Sequence, residues 1–260
     1  MKYTSKKIFI VVFTIILALL TIFHFFYYEQ KLTILKHEIY SQKSLEIKNL
    51  FKNEVERKFG KTISLTYLLS KNDNLIEALV KNDNSLLDFK EVIANIEKYE
   101  KYKNLWIQII DKDGYSFYRS WSKEVGDHIA TDRIDVADMI KNPIPKQSIS
   151  TGKHDMTFKS MIPLYKDGTF IGMIESITKF NSIAIILKDN KIEPLMVLHE
   201  NYKKQLTNPF TKLFIGNNYV ANLNASKELM KKVEKSGLKK FFYIDNYLFV
   251  IFLSHLKFIL

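Results

Sequence analysis

The chain opens on an unbroken apolar run. Residues 8–28 (IFIVVFTIILALLTIFHFFYY) carry no formal charge, and Thr14, Thr21, His24 and the two terminal tyrosine hydroxyls are their polar interruptions. Twenty-one residues at helical rise reach about 31 Å, which matches the hydrocarbon core of a bilayer. The run is too long for a secretory signal, and its bulky exit lacks a small-residue cleavage site. It predicts a transmembrane signal anchor. Lys2, Lys6 and Lys7 precede it, so residues 1–7 are expected in the cytoplasm and the remainder is expected to be exported. From residue 29 to about 70 the period becomes helical and amphipathic. Ile47, Phe51, Val55, Phe59 and Ile63 recur every four residues, with Leu50 between them and Leu32, Leu35 and Ile39 ahead. They form one stripe on a long stalk helix. Its distal half is expected to pack on a downstream sheet. The half nearest the membrane has nothing in the chain to cover it, and a homodimer through that half is the expectation there.

Two Asx triplets, Asn72-Asp73-Asn74 and Asn82-Asp83-Asn84, then predict the caps of short helices, because their side chains bond the open amides of a first turn. One helix is expected over 75–80. A second is expected to carry Leu86, Phe89, Ile93, Ile96 and Tyr99.

Strand periodicity follows. Residues 105–110 are apolar except for Gln108, Asp111-Lys112-Asp113-Gly114 is a turn signal, and 115–121 is the return strand. Strict alternation would place Phe117, Arg119 and Trp121 on one face, with Ser116, Tyr118 and Ser120 on the other. The design repeats as strand 156–165, turn 166–168 and strand 170–178. In the last of these Ile171, Met173, Glu175 and Ile177 share a face. A carboxylate among three apolar side chains needs a partner, and Arg119 on a neighbouring strand is the expected one. Beyond residue 190 the pattern predicts a strand at 193–198, a turn at 216–218, a helix at 226–235, and strands near 241–243 and 247–253.

Composition narrows the function classes. The net charge of +11 comes from dispersed lysines whose longest runs are pairs, so no nucleic-acid interface is expected. The absence of cysteine removes disulfides and thiolate metal sites. His37-Glu38 and His199-Glu200 lack a second histidine four residues on, and Asp111-Lys112-Asp113-Gly114 is not an EF-hand loop. No P-loop, dinucleotide fingerprint or nucleophile elbow occurs. Neither catalysis, nor a cofactor, nor a bound metal is expected.

A long helix out of the membrane, short helices, IIDKDGYSFYRSW, an insertion, then IPLYKDGTFIGMIESIT resembles a Cache domain. Cache domains are the PAS-like extracytoplasmic sensor modules of bacterial histidine kinases, chemoreceptors and diguanylate cyclases. The resemblance covers residues 29–190 as stalk and distal module, and residues 191–253 look like an incomplete second, membrane-proximal module. It implies an α+β fold with a PAS-like antiparallel sheet, a place in two-component or chemotactic signal transduction, and a small-molecule ligand such as an organic acid, amino acid or amine. Several amino-acid binders of the family use an Arg-x-Trp element, and Arg119-Ser120-Trp121 has that spacing, although earlier in the chain than usual. The implied ligand-binding residues are Arg119, Trp121, Arg133, Asp155, Phe158 and Glu175. Each has a structural alternative: Arg119 could simply pair with Glu175, Trp121 could be core, and Arg133 could be a solvated residue at a helix start. The family ordinarily continues into a second span and an output domain. Residues 254–260 carry no such continuation, so a receptor parted from its output is expected. A stand-alone anchored solute-binding protein and a structural envelope protein without ligand are the alternatives.

Overall fold

The computed structural model describes residues 2–99, 104–236, 241–244 and 247–250. The expected tail at 254–260, and the part of the last expected strand at 251–253, lie outside the described residues. The opening apolar run and the stalk form a single helix, α1 (Lys2–Leu69). It is long and apolar enough to cross a membrane, with a mean hydropathy of 2.8 over its most apolar window. Its stripe behaves as the period requires. Val55 and Phe59 are buried with Leu50 and Phe51 packed beside them, while Leu35 and Ile39 near the apolar run stay half exposed. Lys58, Thr62 and Thr66 are buried on the same side. The two threonines satisfy their hydroxyls on the carbonyls one turn back, at 2.8 and 2.7 Å.

Asn72 caps α2 (Asp73–Lys81) by accepting from Asn74 N. The second Asx triplet acts differently from the expectation. Asn82 ends α2 in the left-handed region at φ 53°, and Asp83 caps a 3-10 turn over residues 84–86. Helix α3 (Lys90–Tyr99) instead starts where Asp88 accepts from Lys90 N at 2.9 Å. These helices cover the back of a five-stranded antiparallel sheet made of β1 (Trp106–Asp111), β2 (Ser116–Arg119), β3 (Lys146–Thr151), β4 (Met156–Lys166) and β5 (Thr169–Thr178), in the order β2-β1-β5-β4-β3. The β4–β5 hairpin closes in two residues, Asp167 at φ 50° and Gly168 at φ 80°, the backbone that an Asp-Gly pair favours. Strand β3 was not anticipated, because its sequence KQSIST has little apolar character. Between β2 and β3, helix α4 (Ile134–Lys141) lies over the front of the sheet. The result is the mixed helix-and-sheet, PAS-like architecture that the Cache resemblance implies: a long apolar helix followed by an antiparallel sheet.

Each face has its own core. Behind the sheet, Ile107, Ile109, Ile162, Leu164 and Ile174 pack on Leu75, Ala78, Leu87 and Phe89. In front, Ile110, Met161 and Met173 meet Ile129, Val136 and Met139. The second region comprises α5 (Asn181–Asp189), β6 (Val197–Leu198), β7 (Phe214–Ile215), β8 (Asn218–Val220), α6 (Lys227–Ser236) and the hairpin β9 (Phe241–Ile244) with β10 (Tyr247–Val250). Strands β6, β8 and β7 make a three-stranded sheet. Strand β6 is shorter than the expected 193–198. The two regions share a core in which Val55, Phe59, Phe158 and Phe180 meet Leu198, Leu206 and Tyr219.

Candidate functional site

The front of the five-stranded sheet is polar where a core would be apolar. Register places Arg119, Gln108, Glu175, Met161 and Lys146 in one row across all five strands. Glu175 is fully buried, and its partner is Arg133 at the threshold of α4, with Nη1–Oε2 at 2.9 Å and Nη2–Oε1 at 2.5 Å. The expected Arg119–Glu175 pair is not made. Strand β1 separates β2 from β5, so Arg119 stands two strands from Glu175, about 10 Å at the usual strand spacing. Gln108 on β1 spans that gap: in the amide orientation its neighbours satisfy, it donates to Glu175 Oε2 at 3.2 Å and accepts from Arg119 Nε at 3.1 Å and Ser116 Oγ at 3.0 Å. A register shift near Ile110 turns Ser116 to the Gln108 face, against the strict alternation expected of β2. Arg119 otherwise donates to Asp127 Oδ2 at 2.7 Å and Glu124 O at 2.8 Å.

Arg133 is likewise not the solvated residue considered as its alternative. It is buried, and it also forks onto Asp135, with Nε–Oδ1 at 3.0 Å and Nη2–Oδ2 at 2.8 Å. Ser148 Oγ donates to the same Asp135 Oδ2 at 2.7 Å. Burial opposes the guanidinium charge, but Asp135 and Glu175 outweigh it and hold Arg133 protonated above its ordinary range. The same contest keeps Asp135 ionised: burial pushes its pKa up, and Arg133 pulls it well below the carboxylate norm. Lys159 completes the cluster, donating to Ser150 Oγ at 2.6 Å. Burial and the Arg133 charge bring its pKa down to about 8, against the opposing pull of Asp135 and Glu175.

A second cluster lies at the end of the sheet that faces the second region. Trp121 stacks on Trp106 with centroids 4.9 Å apart, and the Arg119 guanidinium sits 5.9 Å over the Trp121 ring. Phe210, from the second region, meets Trp106 edge-on at 6.2 Å. The Lys179 ammonium lies between them, 4.7 Å from the Trp106 centroid and 2.9 Å from that of Phe210. Asp155 accepts from Tyr219 Oη at 2.9 Å and Met156 N at 2.9 Å through Oδ1, and its Oδ2 is 3.6 Å from Lys179 Nζ. Of the six residues named from the sequence, five therefore fall in these two clusters. Phe158 does not. It is buried behind the sheet against Phe59 and Phe180, with centroids at 5.1 and 4.5 Å, because β4 alternates and Lys159, not Phe158, points forward.

Gln108, Asp135, Lys159, Lys179, Trp106 and Phe210 were not singled out from the sequence. Lys159 and Lys179 carried a signal, a lysine next to a strand's apolar positions, but one dispersed among many surface lysines. Among the described residues no group of His, Asp and Glu side chains is placed to hold a metal ion.

Neither a protein-family model nor a curated protein matches the chain. Solved structures do. The sensor domain of the Vibrio cholerae histidine kinase DctB is similar at 17% identity and a TM-score of 0.44 over 56% of this chain. The chain spans 59% of that domain. The sensory domain of the Campylobacter jejuni chemoreceptor Tlp3, solved with isoleucine bound, is similar at 17% identity and a TM-score of 0.41, covering 66% of this chain and 73% of that one. The ligand-binding domain of the same chemoreceptor with 4-methylisoleucine is similar at 16% identity and a TM-score of 0.41, covering 64% of this chain and 70% of that one.

Proposed function

We propose that this chain is the membrane-anchored, extracytoplasmic sensor region of a Cache-type bacterial receptor, binding a small organic acid, amino acid or amine on the front of its five-stranded sheet. The observation that carries the reading is the buried Arg133–Glu175–Asp135–Lys159 cluster. Two carboxylates and two cations taken out of water cost several kcal/mol each before their mutual attraction repays it. Such groups concentrate where a polar ligand is received. The chain contributes no catalytic group in this reading. The anchor is residues 8–28, with the N-terminus in the cytoplasm, the sheet outside, and the near-membrane half of α1 pairing two copies.

The test is a thermal-shift screen of the full chain in detergent against amino acids, organic acids and amines. A ligand at a hundred times its Kd should stabilise by about 2.7 kcal/mol. Glu175→Gln should then weaken that ligand at least tenfold; unchanged affinity would remove the front face from the assignment. One observation favours a second reading. Both sides of the Arg133 guanidinium are taken by internal carboxylates, as in a purely structural envelope protein, for which no compound in the screen would stabilise.

A further inference from the structure

Two buried polar atoms at the end of the front face have no hydrogen-bond partner among the described residues, and they face each other. They are Lys179 Nζ and Asp155 Oδ2, 3.6 Å apart on side chains that are each 1% exposed. That separation is an ion-pair contact but too long for a hydrogen bond. An ammonium carries three donors, and the rings of Phe210 and Trp106 around this one offer no lone pair in return. The other carboxylate oxygen is already committed to Tyr219 and Met156 N. Burial presses both groups toward neutrality, lowering the pKa of Lys179 and raising that of Asp155. A donor and an acceptor therefore lie buried side by side, each with unused hydrogen-bonding capacity, under an aromatic roof.

Charge balance limits what can enter. Lys179 offsets Asp155, while Arg133 and Lys159 offset Glu175 and Asp135, so an added ion would be uncompensated in a dry site. A carboxylate offers only acceptors and would turn one toward Asp155. An ammonium offers only donors and would turn one toward Lys179. An uncharged primary amide presents an acceptor and a donor side by side in one plane, and satisfies both. We propose that the Lys179–Asp155 pair is a subsite for the uncharged amide group of a small ligand, its carbonyl accepting from Lys179 and its N–H donating to Asp155 beneath Phe210 and Trp106. This subsite rests on the reading of the front face as a ligand site.

The chain has two tryptophans, and both belong to this box, so intrinsic fluorescence of the full chain in detergent reports on it directly. The probes are propionamide, propionate and propylammonium, which share a shape and differ in charge. Propionamide is expected to shift the emission saturably, with the two ions at least tenfold weaker. The response to propionamide is expected to vanish in the double variant Lys179→Met/Asp155→Asn, which removes both charges together; circular dichroism establishes that it is folded. Equal or tighter binding of either ion, no response to propionamide, or a response kept by the double variant would overturn the subsite. A screening ligand that depends on Glu175 but not on Lys179 would remove the subsite and leave the sensor reading standing. No stabilising ligand at all would remove both.

Discussion

Glu175 occupies a strand position that alternation reserves for an apolar side chain, and its fit depends on one residue that is remote in sequence. Breaking the pair from one side leaves the other charge buried alone, so Arg133→Ala should cost about 3–5 kcal/mol, read as a lowered denaturant midpoint. Arg133→Met/Glu175→Leu should recover most of that loss, since a well-packed apolar pair often matches a buried ion pair. The need for a partner was legible in the sequence; its identity was not. Alternation gives the face a side chain points to, but strand order decides which strands touch, and that order is set by long-range closure. Lys58 supplies a second residue-scale test. Its ammonium donates to Ser182 Oγ at 2.7 Å and lies 5.3 Å over the Phe158 ring. Burial, with the Arg57 charge adding to it, holds its pKa down to about 7 from an ordinary 10.5. Between those two values the unfolded chain binds the extra proton, so stability rises with pH across that window, by up to about 1.4 kcal/mol per pH unit. Lys159, depressed to about 8, adds a contribution of the same sign. Denaturant titrations from pH 7 to 10 should show the rise, and Lys58→Met should flatten its own share of it.

The hairpins were the most legible elements, because Asp-Gly turns and apolar runs are local signals. Strand β3 and the aromatic box were not, since β3 is polar and Phe210 reaches the box only through the path of its segment. That path is well anchored. Asn208 N donates to Lys153 O at 2.9 Å, Phe210 N to His154 O at 2.7 Å, and the Gln205 amide to Asp132 O. The segment thus ties the second region to the β3–β4 turn and to the loop that precedes α4. Phe210→Ala should uncover the neighbouring Trp106 and move the emission maximum to the red with the far-ultraviolet spectrum unchanged. Gly172 leaves no room for a side chain between β5 and β1. At φ 152°, a Cβ there would meet Ile110 O at 2.6 Å, so Gly172→Ala should cost about 1–3 kcal/mol, measured by the same denaturant midpoint.

At the scale of the whole molecule, the chain's lack of cysteine makes its topology directly testable. A single cysteine replacing exposed Lys166 at the β4–β5 turn should react with a membrane-impermeant maleimide on intact spheroplasts, whereas one replacing Lys6 should react only after lysis. The reverse pattern would overturn the proposed orientation. The helix α1 is one piece from the apolar run to the back of the sheet, and its distal third is a wall of the core shared by both regions. Continuity of that kind has a phase. One residue inserted between the exposed Glu38 and Ile39 turns everything below it by about 100° and lengthens the stalk by about 1.5 Å. Seven inserted residues return the phase to within about 20° of the start. If the copies meet along the stalk, crosslinking through a cysteine near Tyr28 should fail with one added residue and return with seven. The five-stranded sheet, whose core meets the helix farther along at Val55 and Phe59, should melt at the same temperature in all three.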